Sequence, residues 1–263
     1  MTVLTDAAMD ARTGKKSSRR RPGRQPSGSV HIDRDAITAC GLELSKAIPL
    51  QNLTVVRVAE QLGITHAMIH YHFSGREDLT SSIVNRFVRD QLNAWPRITG
   101  RWRADIEAVV TEIFRHFVKY PGIAAYFAGQ NRFQILVTAA ESDDDFTALE
   151  FLERYFDVVS SAGLDQKQTA TYAVLMIQFV HGAAYHTTSH HWPGEQKKMP
   201  GLLARLPKDR FPRINQLRDD YLNVVGEAAF TEGLHLLMSG IAAERRGFMR
   251  KNRAGRRGSA EGA

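Results

Sequence analysis

A single cysteine, Cys40, stands in a chain of 263 residues. One thiol excludes an intramolecular disulfide and a Cys-rich zinc module, and it suits a reducing compartment. Long apolar runs are also missing. The stretch Ala173 to Ile177 near the middle stops at Gln178, far short of the roughly 20 residues that a bilayer-spanning helix needs. Arg19, Arg20 and Arg21 are followed by Pro22, Gly23 and Arg24 where the hydrophobic part of an export signal would begin, so a cytoplasmic location is predicted. There is no convincing run of strict alternation, no Asn-Gly or Asp-Gly hairpin signal and no internal repeat. Neither a Ser-His-Asp arrangement with supporting context, nor a phosphate-binding Gly loop, nor a zinc-peptidase motif is found. No enzyme activity and no cofactor are therefore expected.

What is present is an ordinary globular composition, 43% hydrophobic and 24% charged, with enough chain to bury a core. The formal net charge of +7 is unevenly spread. Residues 1–32 carry seven Lys or Arg against Asp6 and Asp10, and residues 245–263 carry seven against Glu261. Subtracting these excesses leaves the span between mildly acidic. Both tails are rich in Gly, Ser and Arg and poor in large apolar residues, so they are expected to be disordered alone. Such tails serve either solubility or attraction to a polyanion.

Between the tails the punctuation is helical, which predicts an all-α body. A first helix is expected from about Asp33 to Lys46, with Ala36, Ile37, Cys40 and Leu44 inward. A longer helix should run from about Arg76 to Ala94, ended by Pro96. Further helices are predicted over Trp102 to Lys119, from Ile123 into the 130s, from about Asp144 to Ser161, and from about Gln166 to His190. Pro193, Pro200, Pro207 and Pro212 fall within twenty residues, marking a long loop or broken helical turns. A last helix is expected from about Ile214 to Arg245, with the two long late helices packing on each other or on a second subunit.

The most specific stretch runs from Leu53 to Leu79. Thr54 is a good N-cap for a helix with Val55, Val58, Ala59 and Leu62 at helical spacing, and Gly63 can end it in the left-handed conformation. Ile64 fills the corner. Thr65 caps a second helix in which Ile69 and Phe73 face inward, leaving His66, Ala67, His70 and Tyr71 outward. Ser74 with Glu77 forms a capping box for the helix that follows. Three short helices sharing this small core make a helix-turn-helix unit, whose second helix enters the major groove.

The run from Ile37 to Leu79 resembles the TetR family of bacterial transcriptional repressors. The resemblance lies in Val58-Ala59, the turn Leu62-Gly63-Ile64-Thr65, and above all Ile69-His70-Tyr71-His72-Phe73 followed by Gly75-Arg76-Glu77-Asp78-Leu79. It is strong over residues 31–91 and returns between Phe230 and Ile241. It implies a dimer that binds a palindromic site on double-stranded DNA and carries a helical effector-binding domain. By position it implies DNA contacts from Thr54, His66, Ala67, Tyr71 and Arg76. Met68 stands where the family often has Thr, and His70 where it usually has Tyr. Thr65 and His70 complete the expected set, His70 because its ring can still donate to phosphate. His72 is expected to pack rather than to touch DNA, and Cys40 to be a small core residue.

The expected organisation is thus a basic arm over 1–30, a DNA-binding domain over 31–91 with its motif at about 54–73, a ligand-binding and dimerisation domain over 92–244, and a basic tail over 245–263. Thirteen of the 23 aromatics lie between Phe114 and Tyr185, which suits a roomy apolar pocket as well as plain core packing. Phe133, Tyr155, Tyr172, Phe179 and His186 are the candidates for holding a small, largely apolar effector. Leu175, Phe179, Ala183, His186 and His190 form one stripe, and Gly182 with Ala183 and Ala184 permits another backbone to approach closely. His186 and His190 have the spacing of a helical metal pair but lack an evident third ligand, so no metal site is expected. Asp143, Asp144 and Asp145 suit a helix start better than a catalytic cluster. The predicted function is a DNA-binding repressor released by its ligand. The alternatives are an architectural DNA-binding protein without ligand control and a metal-dependent enzyme using the 181–191 histidines.

Overall fold

A computed structural model describes residues 32–130, 146–188, 198–224 and 226–260, with backbone alone for 251–260. All secondary structure among the described residues is helical. Helix α1 (Arg34–Leu44) starts where the Asp33 carboxylate accepts the Ala36 N–H at 2.8 Å. A 3-10 turn at Leu50–Asn52 leads to α2 (Val55–Leu62), capped by the Thr54 hydroxyl, which accepts from the Arg57 N–H at 3.2 Å. Gly63 then takes φ 66°, the left-handed conformation that the missing side chain makes cheap. The Ile64 N–H donates back to the Ala59 carbonyl at 3.0 Å, and this closes the corner. Helix α3 (His66–His72) follows with Thr65 as its cap, and α4 (Arg76–Asn93) leads out of this head.

The body comprises α5 (Trp102–Lys119), α6 (Pro121–Gly129), α7 (Thr147–Ser160), α8 (Gln166–Thr188), α9 (Met199–Ala204), α10 (Pro212–Asn223) and α11 (Gly226–Ala260). Pro121 opens α6 and Pro212 opens α10, in the first turn, where a helix N–H has no acceptor within the helix. Helix α8 packs against α5, α6, α7 and α11, while α4 packs against α1, α5 and α7. One hydrophobic cluster runs without a break from Ile37 in α1 to Ile241 in α11. Burying a side chain such as Phe87 stabilises by about 1.5–3 kcal/mol, and Phe87 of α4 is fully buried among body residues. The head is therefore joined to the body by shared core, not by a linker.

Several expectations change. The last helix predicted over Ile214–Arg245 is two, because the chain turns at Gly226 with φ 71°. The second of them continues to Ala260, so the tail expected to be disordered from 245 is helical there; Arg, Ala, Lys and Met are good helix formers and outweigh its glycines. From residue 198 the segment of many prolines takes one of its two expected forms, broken helical turns, with α9 and the start of α10. The capping box of Ser74 with Glu77 does not form. Asp78 is the acceptor, taking the Ser74 N–H at 2.9 Å and its hydroxyl at 3.3 Å. Gly182 has open space within the chain where its side chain would be. The close approaches lie at Gly41 against Ile83, Gly122 against the Ile48 carbonyl, and Gly233 against the Phe179 ring. The basic arm over 1–30, Phe133, Asp143 to Asp145, His190 and Pro193 lie outside the described residues.

Candidate nucleic-acid interface

The head presents α3 on its surface and anchors it by two residues. Ile69 and Phe73 are buried, while Thr65, His66, Ala67, Met68, His70 and Tyr71 are exposed. Tyr71 is 84% exposed, the most solvent-accessible large apolar residue of the described chain, and its ring stands edge-on to His72 at 5.1 Å. At that exposure the ring takes no part in the core. Thr54 and Thr65 each use one hydroxyl lone pair on a helix start, and this leaves the hydroxyl proton to donate outward. Arg76 opens α4 and sends one guanidinium N–H to the Gln51 carbonyl, tying α4 to the turn before α2. The seven residues singled out by sequence are thus all exposed, on the caps of α2 and α3, on α3 itself and at the start of α4.

Arg34 and Asp78 are two organising residues that sequence reasoning missed. The Arg34 guanidinium donates to the His72 carbonyl, to the Asp78 carboxylate and to Ser82 Oγ (2.9 Å), and lies 4.3 Å from the Phe73 ring centre. One side chain therefore joins the start of α1, the end of α3 and the first turns of α4. Burial works to raise the Asp78 carboxyl, but the bonds from Arg34 and Ser74 outweigh it and hold the group below the usual range. The signal that could have found Asp78 is its place three residues after the N-cap Gly75, where a short acidic side chain can reach back to an unpaired N–H.

The joint between head and body is built from rings and one close backbone contact. The Gly122 N–H at the start of α6 donates to the Ser45 carbonyl just after α1, at 2.8 Å. Around Phe87 of α4 stand His116 at 4.6 Å, Phe117 at 4.9 Å, Tyr120 at 5.8 Å and Phe127 at 6.0 Å between ring centres. His181 of α8 joins this cluster edge-on to Phe117 and Phe127. Burial pushes its imidazole down to about 4. Burial also lowers His116, against the opposing effect of its contact with the Phe87 carbonyl, to which Nε2 donates at 3.2 Å. Burial likewise pushes the Cys40 thiol up, as suits an inert packing residue.

The four candidate effector residues that are described have different partners. Tyr155 is fully buried between α7 and α8 and spends its hydroxyl on the Ala173 carbonyl at 2.9 Å. Tyr172 sits by Asp165 and Glu244. Phe179 stacks on Phe230 at 5.5 Å, which in turn stacks on Phe114 at 3.8 Å. His186 is exposed, beside Tyr185. A cleft of about 500 Å³ between α4 and α5 is lined by Asp90, Asn93, Ala94, Glu112, Arg115, His116 and Lys119. That lining is largely charged and polar. Among the described residues no group of three or more His, Cys, Asp or Glu could hold a metal ion, and no helix is long and apolar enough to cross a membrane.

Residues 97–245 match the family model described as the tetracyclin repressor-like C-terminal domain. The chain is 22% identical over 244 residues to the HTH-type transcriptional repressor DrrR1 of Streptomyces coeruleorubidus, covering 87% of this chain and 84% of that protein. It is 23% identical over 215 residues to the class C tetracycline repressor protein of Escherichia coli, covering 80% and 90%. Among solved structures, ActR of Streptomyces coelicolor in complex with (S)-DNPA aligns with a TM-score of 0.63 at 21% identity, over 81% of this chain and 98% of that one.

Proposed function

The chain belongs to the TetR family of DNA-binding transcriptional repressors with a ligand-binding C-terminal domain, and from that premise we propose that it is a dimeric repressor whose operator is released when a small, largely apolar ligand enters the body. The observation that carries the reading is the exposure of Tyr71 with His66, Ala67 and His70 on a helix pinned from behind by Ile69 and Phe73. In this reading α3 enters the major groove, Tyr71 and Ala67 meet base edges, and Thr54, Thr65, His70 and Arg76 meet phosphates. One such helix reads too few base pairs to be specific, so two copies must act together. Leu175 and Tyr185 on α8 and Leu236 on α11 are exposed apolar residues on the two longest helices and supply a face for the second copy.

Release requires that the ligand bind one state more tightly than the other. The route favoured here runs from the body through α6 to Ser45 and through the ring cluster to α4, because those contacts join the two parts. Names of the relatives support a small-molecule ligand: the Escherichia coli protein is a tetracycline repressor, and ActR holds (S)-DNPA. The test is repeated selection of random-sequence duplexes by the purified full-length protein. Two inverted half-sites with centres about one helical turn apart are expected. Enrichment of single, unpaired sites or of none would contradict the proposal.

A further inference from the structure

We propose that the end of α11 forms a second polyanion-binding surface, a stripe of arginines that holds the phosphate backbone of a nucleic-acid duplex other than the one held by the head. Helix α11 runs unbroken to Ala260. Positions 246, 250, 253 and 257 follow one another by four, three and four residues and are all arginine. On a helix this spacing keeps them on one face, over about 16 Å of its length. Over residues 245–263 seven cations meet one anion.

The beginning of the stripe is held firmly. Arg245 Nε donates to the Ala162 carbonyl at 2.7 Å, and its guanidinium lies 5.4 Å from the Trp102 ring centre. A cleft of about 580 Å³ opens between Arg245, Arg246, Met249 and Arg250. Among the described residues no carboxylate lies within ion-pair distance of Arg246 or Arg250. Like charges three and four residues apart repel each other. The helix dipole favours cations only in the last turn, which accounts for Arg257 and not for the three before it. A row of phosphates removes the repulsion, and the planar fork of arginine fits phosphate oxygens in pairs. A lipid surface fits less well, since Phe248 and Met249 are the only large apolar residues between 245 and 260 and a membrane-lying helix needs a whole apolar face.

The place of the stripe decides which duplex it meets. Arg245 touches the first residue of α5, whereas the head meets the body beyond the other end of α5, at Ser45 and Gly122. Eighteen residues of helix separate these ends, about 27 Å. A dimer could therefore join two DNA segments.

The test compares full-length protein with a variant carrying Arg246→Gln, Arg250→Gln, Arg253→Gln and Arg257→Gln, which keeps good helix formers at each position. Binding of a random-sequence 24-base-pair duplex is measured from 50 to 200 mM salt, and capture of a free labelled duplex by bead-tethered duplex is measured in parallel. The expected result is a salt slope lower by about 3 to 4 per chain and loss of capture, with retention of the variant on the tethered duplex. An unchanged slope and unchanged capture would overturn the proposal, as would substitution-sensitive binding to phosphatidylserine vesicles with none to duplex. Loss of retention in the variant alone would instead count against DNA binding by the head.

Discussion

A proton on His181 would place a charge between the rings of Phe117 and Phe127, where burial has pushed the imidazole down to about 4 from the ordinary 6.5. The unfolded chain takes that proton near pH 6.5 and the folded chain only near 4, so the unfolded state binds more protons between these values. Stability is then fully present above about pH 6.5 and drains away as pH falls towards 4, by about 3 kcal/mol in all. Thermal melts between pH 7 and 4.5 should show this loss, with a shallower fall in His181→Gln; equal falls in both proteins would remove His181 as the cause. Gly122 offers a second test. A Cβ there would lie 2.1 Å from the Ile48 carbonyl oxygen and 2.6 Å from that of Ser45, and backbone cannot move aside as a side chain can. Gly122→Ala should cost about 2–3 kcal/mol by denaturant unfolding, and a cost under about 0.5 kcal/mol would mean that the joint is looser than described. Neither residue was legible in the sequence. A histidine or a glycine on a helix looks the same whether it is pressed on a neighbour or open to water, as Gly182 and Gly233 illustrate in opposite directions.

At the scale of elements the head was readable because its signals are local. Thr54 and Thr65 cap through their hydroxyls and Gly63 turns the chain through its backbone, all within a few residues, and the structure places each in that role. The break at Gly226 and the run of α11 to Ala260 were not readable. Periodicity passes smoothly across a single left-handed glycine, and a basic stretch rich in Gly and Ser has the composition of a disordered tail. Effector residues are hard to read from sequence, since a pocket depends on how helices distant in the chain meet, which no local pattern encodes. The N-terminal arm carries Lys15, Lys16, Arg19, Arg20, Arg21 and Arg24 shortly before α1 in sequence. Arms of this kind reach phosphates or the minor groove beside a recognition helix. Deleting residues 1–28 should lower the salt slope of operator binding by several units per dimer, at about 0.9 per phosphate, and should change affinity more than specificity. Equal slopes with and without the arm would leave it as a solubilising tail.

Among the described residues one continuous core carries both the exposed α3 and the helices of the ligand-binding family domain. Under the proposed function, a ligand that lowers operator affinity must itself bind less tightly when the operator is present, by the same factor. The account stands first on the head, and the replacement Tyr71→Ala separates reading DNA from holding the fold, because the ring is 84% exposed and supports nothing in the core. The decisive measurement is a fluorescence anisotropy titration of the selected palindromic duplex with wild-type and Tyr71→Ala protein, after melting and sedimentation show that both are folded and of the same oligomeric state. The account predicts operator affinity at least about tenfold weaker in the variant, the equivalent of 1.4 kcal/mol or more, with binding to random duplex nearly unchanged; equal operator affinity in the two proteins would contradict it.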